Sequence, residues 1–157
     1  MRLALFQPDI PQNLGAAIRL TACLGVPLDV IEPCGFPLSD RALKRAAMDY
    51  AQIADVTRHP SWDSFRTNSV TSSARLVLFT TKGAEALHDV RFAASDILLF
   101  GRESAGVPEA VHAAARVRVV VPLVAGARSL NLVTAAAIGL AEALRQINAF
   151  PSRSPAS

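Results

Sequence analysis

Short, mostly apolar runs punctuate this chain, and longer stretches of helical periodicity lie between them. The runs at 2–6, 27–31, 75–80, 97–100 and 117–121 have strand length, and 55–58 is a weaker one. Helical patterns occupy 13–24, 39–48, 61–67, 108–115 and 131–148. Strands that alternate with helices predict a parallel sheet, because a parallel connection needs a crossover of about a dozen residues. The same alternation, with largely apolar strands, predicts helices on both faces. The expectation is an α/β fold in a single domain over residues 1–150. The tail, Pro151-Ser-Arg-Ser-Pro-Ala-Ser157, lacks an apolar run and is expected to be disordered.

The last helical stretch, 131–146, is apolar nearly all round for its first three turns and rich in small residues. Such a helix is expected to be buried on more than one face. It is either a central core helix or one shared with a dimer interface.

Composition narrows the class. The 157 residues make about one domain, and 51% apolar with 18% charged is a globular balance. The N-terminal residues lack the apolar run of a signal peptide, and no stretch is long enough to span a bilayer, so a cytoplasmic protein without a membrane is expected. Cys23 and Cys34 have no CxxC spacing and read as reduced thiols. His59, His88 and His112 stand apart from one another and from any cysteine pair, so no metal is expected. Net charge is +3, and Lys44 and Lys82 are the only lysines among 16 basic residues. Arginine's planar fork suits phosphate. A GC-rich genome produces the same bias, so placement matters more than number.

Three segments could carry chemistry. In Pro8-Asp-Ile-Pro-Gln-Asn-Leu-Gly-Ala-Ala-Ile-Arg19 a strand end turns into a helix, with Asn13 as a candidate cap and Arg19 as the helix's only charge. A capped helix with a solvated arginine explains this segment equally well. In Gly101-Arg-Glu-Ser-Ala-Gly106-Val-Pro-Glu109 two glycines recur five apart, but Val107 and Pro108 stand where a phosphate-binding loop needs Lys and Ser or Thr. The dinucleotide pattern GxGxxG is absent too, which removes support for a nicotinamide cofactor. In the third, Val121–Leu132, both Ser129 and Asn131 could cap the final helix, and a helix start offers backbone N–H groups to a ligand. The two loops follow strands, where open α/β sheets hold nucleotides.

In this order, the three segments resemble the three motifs of the SPOUT superfamily of RNA methyltransferases, in the branch that methylates ribose 2′-hydroxyls. Finer matches are Ile31-Glu-Pro-Cys-Gly-Phe36, Asp40–Tyr50, Val56-Thr-Arg-His59 and Thr80-Thr-Lys-Gly83. These resemble the small family that 2′-O-methylates the wobble nucleotide, position 34, of tRNA, and the likeness covers about residues 2–148. The resemblance implies a C-terminal deep trefoil knot, one of the exceptions to unknotted topology. It implies a homodimer with S-adenosyl-L-methionine held by the knot loops. By position, Phe79, Thr80, Gly101, Glu103, Gly106, Val121, Leu123, Ser129, Leu130 and Asn131 would line the cofactor pocket. Asn13 and Arg19 would belong to the active site, with Arg19 acting on the 2′-hydroxyl. Arginine's high pKa favours a charged Arg19 that grips phosphate and stabilises developing negative charge.

The same resemblance makes tRNA, through its anticodon loop, the expected partner. Arg41, Lys44 and Arg45 cluster on one predicted helix, and Arg58 and Arg128 add further cations for phosphate. Phe36, Tyr50 and Trp62 are the candidate stacking residues. Arg102, Ala105, Val133 and Ala141 depart from residues common in the family and bear on substrate choice. The alternatives are 2′-O-methylation at another tRNA or rRNA site, and a non-catalytic RNA-binding module.

Overall fold

The computed structural model describes residues 1–50, 52–68, 70–82 and 85–152, with the side chains of Asp40, Lys44 and residues 46–48 outside the description. The expected tail lies outside the described residues from 153 onward. In chain order the elements are β1 (Arg2–Phe6), α1 (Pro11–Leu24), β2 (Leu28–Ile31), α2 (Asp40–Ala47), β3 (Val56–His59) and α3 (Trp62–Thr67). There follow β4 (Leu76–Phe79), β5 (Glu85–Ala86), β6 (Ile97–Phe100), α4 (Glu109–Ala114), β7 (Val117–Val120) and α5 (Leu132–Gln146). Short 3-10 turns stand at Met48–Tyr50 and Leu87–Asp89.

The strands form one sheet of seven in the order β3-β2-β1-β6-β4-β7-β5, and each pairing between neighbours is parallel. Only β5 is absent from the sequence reading. It is two residues long and begins with a glutamate, too short to carry a periodic signal.

Alternate residues of the central strands feed two cores. Leu3, Leu5, Val77, Phe79, Leu98 and Phe100 meet Leu14, Ala17 and Ile18 of α1 and Ala136, Leu140, Ala143 and Leu144 of α5. On the other face Ala4, Phe6, Leu76, Leu78, Ile97 and Leu99 meet Phe65 of α3 and Val111 of α4. Helices thus cover both faces, and this is why β4 and β6 read as unbroken apolar runs. Asp29, fully buried in β2, accepts from Arg2 Nε and Nη2 at 2.6 and 3.0 Å and lies 2.8 Å from His59 Nε2. That carboxylate ties β1, β2 and β3 together, and removing Arg2 would take away both of its guanidinium bonds.

Helix ends differ in part from the sequence reading. α1 begins at Pro11, with Ile10 at the cap position and no side-chain cap bond. Proline suits the first turn, where its missing N–H has no helical partner to lose. Asn13 therefore lies inside the helix, and its amide is released for other work. Of the two candidate caps of α5, Asn131 serves, accepting from Val133 N at 2.9 Å and Thr134 N at 3.3 Å. α5 buries a single face, through Ala136, Gly139, Leu140, Ala143 and Leu144. The opposite stripe, Thr134, Ile138 and Ala141, is exposed, so α5 is not the central core helix that was one of the two expectations.

Candidate active site

A cleft of about 1040 Å³ opens beyond the carboxyl ends of β4, β6 and β7. Its walls are the β4 end at Phe79 and Thr80, the loop 101–106, the β7 exit at Val121 and Leu123, and the approach to α5 at Ser129, Leu130 and Asn131. Every residue proposed from the sequence for the cofactor lines this one cleft, and Asn13 and Arg128 line it as well.

The 101–106 loop owes its shape to two glycines. Arg102 and Gly106 exchange backbone hydrogen bonds of 2.9 Å in both directions, and Gly106 adopts φ +67°. A Cβ on Gly101 would fall 2.5 Å from the Gly106 carbonyl carbon, so only glycine permits that approach. The tight turn carries Glu103 towards α1. One Glu103 oxygen accepts from the Asp9 N–H at 2.8 Å, and the other accepts from Asn13 Nδ2 at 2.8 Å. Asn13 Oδ1 in turn accepts from Asn131 Nδ2 at 3.1 Å. Asp9 closes the circuit by accepting from Ser104 N at 3.2 Å and Ser104 Oγ at 2.5 Å. The Ser104 hydroxyl holds the Asp9 carboxyl below its usual range. One hydrogen-bonded chain thus links the β1 exit, α1, the β6 loop and the cap of α5.

The cleft's apolar floor is equally constrained. Phe79 stacks on Phe100 with ring centroids 4.6 Å apart and on Phe92 at 6.5 Å. Gly139 of α5 lies against the same ring, where a Cβ would approach the Phe79 ring atoms to 2.6 Å. These contacts fix the ring rather than leaving it to adapt to a ligand.

Arg19 does not reach this cleft. Six residues beyond Asn13, it lies about 9 Å further along α1 and about 240° around it. It lines a separate groove of about 980 Å³ with Ser39, Arg41 and Arg45 from the α2 region and Asp49 and Tyr50 from the turn that follows. Its guanidinium carbon lies 5.1 Å from the Tyr50 ring centroid. Interaction with the Tyr50 phenol, ahead of weaker attraction from Cys23 and Asp49, moves the Arg19 pKa further up, so the group is a cation.

The remaining sequence candidates are scattered. Arg58 donates Nε to Glu32 at 2.9 Å and Nη2 to Glu32 and to the Leu38 carbonyl at 3.1 and 2.9 Å, outside both concavities. Lys44's side chain lies outside the described residues. Of the three aromatic candidates, Trp62 is stacked on Phe65 at 5.5 Å and Phe36 packs against the core, which leaves Tyr50 in the groove. The sequence reading missed the Asp9–Ser104 pair, although an aspartate one residue past a strand-closing Gln-Pro was a usable signal. Among the described residues no His, Cys, Asp and Glu cluster could hold a metal, and no helix is long and apolar enough to cross a membrane.

Comparison with known proteins fits this arrangement. The chain is 56% identical over 148 residues to the tRNA (cytidine(34)-2'-O)-methyltransferase of Beijerinckia indica subsp. indica, covering 94% of this chain and 92% of that one. A solved structure concerned with the 2-OH methylation of C/U34 on tRNA superposes with a TM-score of 0.85 at 41% identity, over 94% of this chain and 95% of that one. The SpoU methyltransferase AviRb from Streptomyces viridochromogenes, solved in complex with AdoMet, superposes with a TM-score of 0.78 at 26% identity, over 94% of this chain and 60% of that one. Residues 1–141 match the SpoU rRNA Methylase family, and with the parallel sheet and its strand-end cleft in place, the chain belongs to that family.

Proposed function

We propose that this protein transfers a methyl group from S-adenosyl-L-methionine to the ribose 2′-hydroxyl of the wobble nucleotide, position 34, of tRNA. The observation that carries this reading is the 56% identity, over nearly the whole of both chains, to a tRNA (cytidine(34)-2'-O)-methyltransferase. The geometry supports it. The cleft's volume, near 1040 Å³, suits a nucleoside-sized ligand, and the glycine cradle at 101 and 106 lets backbone N–H and C=O groups approach one closely. Phe79, Val121, Leu123 and Leu130 offer apolar walls to a base, while Thr80, Ser129 and Asn131 offer polar contacts to its edge and ribose. When bound, the cofactor supplies an electrophilic methyl on a sulfonium centre.

This chain's own residues do the rest. Glu103 and Asn13 hold the two loops and α1 in register. Arg19, a cation with its pKa raised, is unsuited to act as a resting base. It grips the phosphate beside the target ribose and stabilises negative charge growing on the 2′-oxygen. Arg41 and Arg45, which share the groove with Arg19, are the cations for anticodon-loop phosphates, and Arg128 stands at the cleft.

Arg19 and the cleft occupy different surfaces of one protomer, so the reading includes a homodimer in which the cleft of one protomer meets the Arg19 groove of its partner. The exposed apolar residues Ile10, Leu123, Val124, Leu130 and Ile138 support an interface on the cleft and α5 side. A C-terminal trefoil knot, formed as the chain leaves β7 and returns through 121–131 to pack α5 on α1, belongs to the same reading, as do a single domain over 1–150 and action in the cytoplasm.

The test is methyl transfer from labelled cofactor to total tRNA, followed by mapping of the 2′-O-methyl group. Label at position 34 is expected. Label at another tRNA site or in rRNA would replace the substrate, and cofactor binding without transfer to any RNA would favour a non-catalytic module.

A further inference from the structure

Most arginines with a defined partner in this structure are held by carboxylates. Arg2 is paired with Asp29, Arg58 with Glu32, Arg75 with Asp96 and Arg145 with Glu142, each through Nε and Nη2 of the fork. Such pairing neutralises the cation and occupies its donors. Arg19, like Arg66 over Trp62 and Arg102 over Phe6, is held by a ring instead. It is exposed, and among the described residues it makes no ion pair. Its partner is the ring of Tyr50, 5.1 Å from guanidinium carbon to centroid.

Tyr50 is itself well anchored. It ends the 3-10 turn after α2, and its carbonyl accepts from Ile53 N at 3.1 Å and Ala54 N at 2.9 Å. An aromatic face attracts a guanidinium through its quadrupole without cancelling its charge. The groove they share also holds Arg41 and Arg45, with Asp49 as an acidic neighbour beside Tyr50.

We infer that Tyr50 is a positioning residue for Arg19: its ring orients the guanidinium across the groove between α1 and α2 while leaving the charge un-neutralised for the ribose-phosphate of bound RNA. The inference rests on the reading of Arg19 given above. Tyr50 acts through Arg19 and need not touch the reacting atoms.

The experiment compares the full chain with Tyr50→Phe, Tyr50→Leu, Arg19→Ala and the Tyr50→Leu/Arg19→Ala double variant. It measures single-turnover methyl transfer at saturating tRNA, tRNA affinity, cofactor affinity and melting temperature. Tyr50→Leu is expected to slow transfer about tenfold, with cofactor affinity and melting temperature unchanged. Tyr50→Phe keeps the ring and most of the rate. The double variant is expected to be no slower than Arg19→Ala, because two residues acting as one unit give non-additive losses. A full transfer rate in Tyr50→Leu overturns the inference, and so do losses that multiply in the double variant, which would make Tyr50 an independent RNA-stacking group. Arg19→Ala at full rate would overturn the reading of Arg19 and this inference with it, whereas a slow Arg19→Ala beside a normal Tyr50→Leu overturns the inference alone. Tyr50→Gln replaces the leucine variant if that one does not fold, and the same outcomes decide.

Discussion

Asn131 donates through Nδ2 to Oδ1 of Asn13 at 3.1 Å, so the residue that caps α5 also grips the first turn of α1, 118 positions away in the chain. Asn13 spends its other amide atom on Glu103, at 2.8 Å. Each end of the amide thus has a protein partner. Through these two bonds it ties α1 to the 101–106 loop and to the start of α5.

Asn13→Ala leaves Glu103 and Asn131 each short of a partner. Losing one partner of a partly buried hydrogen bond costs about 1–3 kcal/mol, so cofactor affinity is expected to fall about tenfold by calorimetry. Asn131→Ala loses the same bond and also the cap of α5, worth about 1 kcal/mol. It keeps the Asn13–Glu103 bond that Asn13→Ala loses, so the two variants should melt at similar temperatures. The double variant is expected to lose less than the sum; strictly additive losses would show that the two asparagines act separately.

Gly101→Ala tests the cradle. The added Cβ would meet Gly106 backbone atoms at 2.5 and 2.8 Å, and backbone cannot swing aside as a flexible side-chain end can. The Arg102–Gly106 bridge should open and displace Glu103. The expected outcome is loss of measurable cofactor binding with the far-ultraviolet circular dichroism of the parent.

Gly139→Ala sets two effects against each other. Alanine in a helix interior is favoured over glycine by about 1 kcal/mol. The new methyl would sit 2.6 Å from a Phe79 ring already stacked on Phe92 and Phe100, and overpacking costs about 1–3 kcal/mol. The clash should win, lowering the melting temperature and, because Phe79 lines the cleft, the cofactor affinity too. A variant that melts higher than the parent would show that the phenylalanine stack yields.

Cys34 gives a pH prediction. Burial, helped by the nearby Glu32 carboxylate, pushes its thiol pKa up to about 11. A raised thiol pKa disfavours the thiolate, so at pH 8 only about one thiol in a thousand is ionised. In a Cys23→Ser background, alkylation of Cys34 should rise about tenfold per pH unit from 7 to 9. At pH 8 it should run on the order of a hundredfold slower than alkylation of the denatured chain, whose thiol lies near 8.5. Equal rates before and after denaturation would contradict the assignment.

Much of this architecture was legible in the sequence. Leu76–Phe79 and Ile97–Phe100 read as buried strands because both of their faces are covered, and the five α-helices fall close to their periodic stretches. The loops gathered at the cleft were legible too, since glycines and capping residues mark strand-to-helix turns. Pairings across long sequence separations were not. Nothing local distinguishes Arg58, held by Glu32, from Arg19, held by a tyrosine ring. Nor does composition say that Trp62 stacks inward on Phe65 while Tyr50 faces a groove. Asn13 misled as a cap because Pro11 had already set the helix start two residues earlier.

The cleft takes one wall each from the segments near residues 13, 79, 101 and 121, and its closing contact from Asn131. A growing polypeptide halted before that asparagine already contains β1 to β7 and both cradle glycines, yet lacks the element that joins α5 to α1. Donor binding is therefore expected only in chains long enough to include α5, and capture of a labelled methyl donor by stalled nascent chains would time the docking of that helix.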